Sequence, residues 1–161
     1  MPIDRDQVPV WVEAWQYQCC GDDFAVGETV RWALVRADSS HLASLLGEDY
    51  PDWKTELQVA RRGEEPGSAG GPTVELCSGG LVVRVPDQEL LTRADRVTIG
   101  LLAEEHHGAV GEGARPTVGV VRSIRLVHCR YAPLAGTKTH YPVPGSARLV
   151  EVRSSVVSAR R

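Results

Sequence analysis

Two cysteines stand side by side at Cys19-Cys20, directly before Gly21, and Trp15-Gln16-Tyr17-Gln18 leads into them. Thiolates are nucleophiles and soft metal ligands, so adjacent thiols at a bend suggest a metal half-site or a reactive pair. Further donors stand at Cys77, His106-His107 and His128-Cys129. Zinc takes four N or S donors in a tetrahedron, and copper(I) favours thiolates. One member of each adjacent pair, with Cys77, would supply such a set. The spacing argues against it. Neighbours along a strand point to opposite faces, so Cys19 and Cys20 converge only where a turn at Gly21 bends the backbone. No Cys-x-x-Cys occurs, and one cysteine of each pair also reads as a small buried hydrophobe.

Nucleophilic chemistry is the second use of these groups. Cys20 with His106, the imidazole oriented by Glu105 or Glu104, would make a thiol–imidazole–carboxylate set. No Gly-x-Ser-x-Gly elbow and no glycine-rich phosphate loop occurs. Glu104-Glu105-His106-His107 is not a metalloprotease box, whose two histidines lie one helical turn apart. The expectation is therefore a small binding or interaction module rather than an enzyme. Its surface would be the Cys19-Cys20-Gly21 turn with His106 and His107, and a thiol-dependent enzyme is the alternative.

Bulk composition bounds these readings. The chain has 161 residues, 42% hydrophobic and 24% charged, with net charge -3. That suits one globular domain over 1–161 with an adequate core. The longest apolar run falls well short of the ~20 residues of a membrane helix. Met1-Pro2-Ile3-Asp4-Arg5-Asp6 is polar and unlike a secretion signal. A cytoplasmic location with reduced thiols is the expectation. Charge is uneven: residues 1–118 carry 20 acidic and 10 basic side chains, residues 119–161 carry 1 and 8. With rings at Trp11, Trp15, Tyr17, Trp32, Trp53, Tyr131 and Tyr141 and the charge of 119–161, a barrel surface could hold single-stranded nucleic acid, and the overall acidic balance opposes that.

The elements that must position these groups read as strands. Apolar residues of both parities over 8–18 predict a strand covered on both faces, with Gly21-Asp22-Asp23 as the turn after it. Val30, Trp32 and Leu34 alternate with Arg31 and Ala33 in a half-buried strand. Asp38 caps a two-turn helix carrying Leu42, Leu45 and Leu46, and Gly47 stops it. A strand at Leu57-Val59 follows. Further strands are expected near 73–77, 81–85 and 96–102, then one long strand over 118–131 and a last one over 148–157. Residues 62–72 and 108–116 read as soft loops, 132–147 as an irregular connection, and the end as a short disordered tail. Short strands with one or two short helices suit a small closed or partly open β-barrel of OB or SH3 type. A compact β-sandwich is the alternative.

Phe24-x-Val26-Gly27-x-x-Val30 resembles the opening strand of many such small barrels, with Gly27 free to turn before an inward Val30. Trp15-Gln16-x-x-Cys19-Cys20-Gly21-x-x-Phe24-x-Val26-Gly27, Glu105-His106-His107-Gly108 and Tyr131…Pro144-Gly145-Ser146 are similar to the signature of a family of uncharacterised proteins from high-GC bacteria. The resemblance implies a shared fold over most of the chain and no particular activity.

Overall fold

The fold was analysed in a computed structural model, which describes residues 7–66, 72–86, 95–105 and 115–152. In chain order its elements are β1 (Val10–Trp11), α1 (Ala14–Cys20), β2 (Thr29–Trp32), β3 (Leu34–Arg36), α2 (Ser39–Leu46) and β4 (Thr55–Pro66). They continue with β5 (Pro72–Ser78), β6 (Leu81–Pro86), β7 (Arg96–Ile99), β8 (Leu102–Glu104) and β9 (Thr117–Val120). The last are β10 (Ile124–His128), β11 (Tyr131–Pro133), β12 (His140–Pro142) and β13 (Arg148–Val152).

Seven strands form one sheet in the order β1-β8-β3-β6-β5-β4-β7. Three two-stranded ribbons, β2-β9, β10-β13 and β11-β12, complete the β structure. The fold is mainly β with two short helices, as the strand pattern requires. The chain steps from β7 at one end of the sheet to β8 near the other across Gly100 and Leu101 alone. Three peptide steps span at most ~11 Å. The sheet is therefore strongly curled. It is not a closed barrel: among the described residues β7 pairs only with β4, and β1 only with β8.

Inside the curl lie Leu34, Leu57, Val74, Leu76, Val83, Val85, Ile99 and Leu102, contributed by six strands. Each such fully buried aliphatic side chain contributes ~1.5–3 kcal/mol. A second cluster joins Tyr17, Phe24, Val121 and Ile124, and a third joins Ala37, Leu42, Leu46 and Leu101. Trp32 packs on both the first and the second.

Several local expectations hold. Helix α2 starts at Asp38, whose carboxylate accepts the His41 N–H at 3.2 Å, and buries Leu42, Leu45 and Leu46. Gly27 has a φ of 93°, followed by a half-buried Val30. The strands expected near 73–77 and 81–85 are β5 and β6, joined by a hairpin through Ser78-Gly79-Gly80.

Others are corrected. The strand expected over 8–18 is two residues of β1 and then helix α1. β8 is only three residues long, so the sheet offers β1 no further partner. The chain turns instead into a helix that buries Tyr17. Gly21 closes that helix, its N–H donating to the Tyr17 carbonyl at 3.0 Å. A Cβ there would stand 2.8 Å from the Tyr17 ring, so only glycine fits without a shift. The strand expected over 96–102 divides at Gly100, because its halves serve opposite ends of the sheet. The strand expected over 118–131 divides into β9, β10 and β11, each with a different partner. Residues 62–66 belong to β4, not to a loop, and 132–147 contains the β11–β12 turn. Of the two loops expected over 62–72 and 108–116, residues 67–71 and 108–114 lie outside the described residues. So does the tail beyond Val152.

Candidate functional site

A cleft of about 830 Å³ opens where the chain before and within α1 crosses the β2–β9 ribbon and β10. Its inner wall is apolar: Val12, Tyr17, Phe24, Val30, Trp32, Leu34, Leu81 and Ile124. Three rings stack edge to face along it, Tyr17 on Phe24 with centroids 5.4 Å apart and Phe24 on Trp32 at 5.1 Å. Strand alternation explains the wall. Val30 and Trp32 share the inward parity of β2, while Thr29 and Arg31 are exposed. Opposite Val30 in the ribbon stands Gly119, and directly paired residues project to the same face. A Cβ built at 119 would meet no atom within 4 Å. Part of the cleft is therefore the side chain that Gly119 lacks.

The outer wall is β10. Ile124 is buried, and Leu126, on the same parity, is 41% exposed and lines the cleft. Polar groups gather at the rim. Glu13 accepts the Trp11 indole N–H at 2.8 Å. Arg125 faces Glu151 across β10–β13. Cys129 and Tyr131 both line the cleft and bond to each other, which pushes the Tyr131 phenol up from its ordinary range. The Tyr17 phenol, on the inner wall, rises to about 12 through burial and the adjacent Asp23 carboxylate. Both hydroxyls therefore stay protonated and serve as donors.

The residues singled out for chemistry are dispersed. Cys19 and Cys20 end α1 and are exposed, and neither lines the cleft. The bond to Cys19 raises the Cys20 thiol, with burial second. An activated nucleophile needs the opposite shift. Cys77 lies on β5 beside a buried charge network. Arg115 Nε donates to Glu75 Oε1 at 2.9 Å, and Arg115 Nη2 approaches Cys77 Sγ at 3.2 Å. Arg84 completes the network, 3.6 Å from Glu75 and donating to Thr73 Oγ1 at 2.9 Å. Burial raises the Cys77 thiol despite Arg115. His128 ends β10 and is exposed. His106 and His107 lie outside the described residues, so the Cys20–His106–Glu105 and Cys–His metal sets are only partly on view. Among the described residues no three of His, Cys, Asp and Glu gather as metal ligands.

The basic third carries exposed Tyr131 and Tyr141 on the β11–β12 ribbon. Tyr131 pairs with Pro142 and Tyr141 with Ala132, so the two rings fall on opposite faces and do not form one stacking platform.

One residue, Gly119, escapes the sequence reading, and another, Glu104, enters it only as a carboxylate to orient an imidazole. Gly119 sits in a run of valines, and a lone glycine inside a strand is itself the signal of open or closely approached space. Glu104 is 3% exposed on β8, opposite Leu34. Burial, with the Glu105 charge second, pushes its carboxyl up to about 7. Nothing in Glu104-Glu105 distinguishes the buried carboxylate beforehand.

No described helix is long and apolar enough to cross a membrane. No curated protein and no solved structure matches the chain. A family of unknown function, DUF6578, matches residues 6–159, and the chain belongs to that family.

Proposed function

We propose that this protein is a binding module and that the cleft beside α1 is its ligand seat. One observation carries the reading: an apolar-walled space of about 830 Å³ joins the first and second core clusters and is open at Gly119. Small-molecule sites typically measure ~300–1,000 Å³, with apolar walls and a few convergent polar groups. Tyr131, Cys129 and Gln18 supply polar groups here.

The neutral fluorophore N-phenyl-1-naphthylamine tests this. Its emission rises in apolar surroundings. The protein raises that emission saturably, and Leu126→Asp weakens the effect. Val26→Asp, at an exposed position outside the cleft, leaves it unchanged. A flat titration, or equal loss in both variants with circular dichroism intact, overturns the reading.

A further inference from the structure

We infer that the cleft takes a free single-chain amphiphilic acid, its apolar body on the Val30–Trp32 wall and its acidic group at Arg122. The inference rests on the cleft being the ligand seat and names what occupies it.

The apolar half follows from the wall already described. The charge follows from the rim. Three charged residues line the cleft: Glu13 just before α1, Arg122 just before β10, and Arg125 on β10, whose parity is opposite to that of Ile124 and Leu126. Glu13 is held by the Trp11 indole, and Arg125 stands in register with Glu151. Arg122 is exposed and makes no ion pair among the described residues. Its backbone is anchored on the N-terminal side. Val121, just before it, is buried, and its N–H and C=O bond Glu28 and Gly27 at 2.9 and 2.8 Å. The rim therefore keeps one uncompensated cation on an anchored stretch of backbone.

The surroundings reinforce that sign. Residues 119–161 carry 8 basic side chains and only Glu151 as an acid. Of these, Arg125, Arg130, Lys138 and Arg148 are exposed on the described part of that segment. The cleft lining itself carries Arg122 and Arg125 against Glu13, a small positive excess that favours an anion there. A guanidinium also matches a carboxylate in bidentate geometry. The charge asymmetry of the sequence thereby acquires a small-molecule use.

The test is competition against N-phenyl-1-naphthylamine by two ligands of equal chain length, dodecanoate and dodecanol, both below micelle formation. An exposed ion pair is worth about fivefold in affinity. Dodecanoate should compete about fivefold better than dodecanol, and added salt should shrink the margin. Arg122→Ala should bring the two ligands level, and Arg122→Lys should restore part of the preference. Equal competition by both in the unaltered protein overturns the acidic headgroup and leaves the cleft reading standing. A preference that survives Arg122→Ala overturns the assignment to Arg122. Displacement by neither ligand overturns the amphiphilic occupant, whereas a flat dye titration overturns the cleft reading itself. Retention on phosphatidylglycerol vesicles without binding of monomeric dodecanoate overturns a free amphiphile in favour of a lipid surface.

Discussion

Val30 of β2 and Gly119 of β9 stand directly opposite each other, and the space beside Val30 that a side chain at 119 would fill is empty. Every other pair in this ribbon carries two side chains. The void is thus written into one position of one strand.

That pairing gives the first prediction. Gly119 has no positive φ, so a larger residue incurs no backbone strain. Gly119→Val should stabilise the fold by about 0.5–1 kcal/mol, the usual penalty of glycine inside a regular element. Gly119→Leu should in addition weaken N-phenyl-1-naphthylamine binding by narrowing the cleft beside Val30. Urea midpoints and the dye titration measure both. A large loss of stability in either variant would show the space to be occupied.

The second concerns how the cleft wall is fastened to the sheet. Thr117 Oγ1 accepts the Val82 N–H and donates to the Val82 carbonyl, both at 2.8 Å. One hydroxyl on β9 thereby does the work of a ladder rung against β6. Thr117→Val keeps the shape and strands both groups, which should lower stability by ~1–3 kcal/mol. Thr117→Ser should restore most of it, because the hydroxyl is retained. Thermal denaturation of the two variants decides the matter.

How much of this could be read beforehand depends on the length of each signal. The cap at Asp38 and the leucines of α2 span a full helix, and the structure keeps them. Alternation through Val30, Trp32 and Leu34 fixed the inward face although the strand breaks at Ala33. At Trp15–Cys20 the pattern allowed strand and helix alike. Three-residue β8, far away in sequence, decided the outcome by leaving the chain beyond β1 without a strand to pair with. Neighbours set the site in the same way. The thiols at Cys19-Cys20 are conspicuous in sequence yet exposed, whereas the cleft is made of ordinary valines and one glycine that only the β2–β9 register brings together.

Glu104 carries the pH prediction. Its folded carboxyl titrates at about 7 against an ordinary 4.5, so the folded state holds the proton more tightly than the unfolded chain. The contribution is fully present below 4.5 and is lost as pH rises to about 7. A shift of that size corresponds to roughly 3 kcal/mol. Glu104→Gln should flatten the decline, gaining on the unaltered protein as pH rises towards about 8. Urea unfolding across that range measures it, and parallel pH curves for the two proteins would contradict it.

The buried network on β5 and β6 supplies the last variant. Glu75 is 3% exposed, and the Arg84 side chain beside it 11%. Among the described residues Arg84 Nε already lacks a partner. Glu75→Ala leaves that guanidinium buried without its carboxylate and should lower stability by about 3–5 kcal/mol. The double variant Glu75→Met, Arg84→Met removes both charges and should recover most of the loss. A double-mutant cycle by urea denaturation reads the coupling directly.

The cleft itself is tested most directly by methyl NMR during titration with dodecanol. Val12, Val30 and Leu126 line the cleft, while Leu57 and Leu76 lie in the sheet core and Val26 is exposed elsewhere. Saturable shifts confined to the methyls of Val12, Val30, Leu126 and their neighbours are the predicted result. Shifts spread over Val26 and other exposed methyls, or none at all, would contradict the assignment of the cleft as the ligand seat.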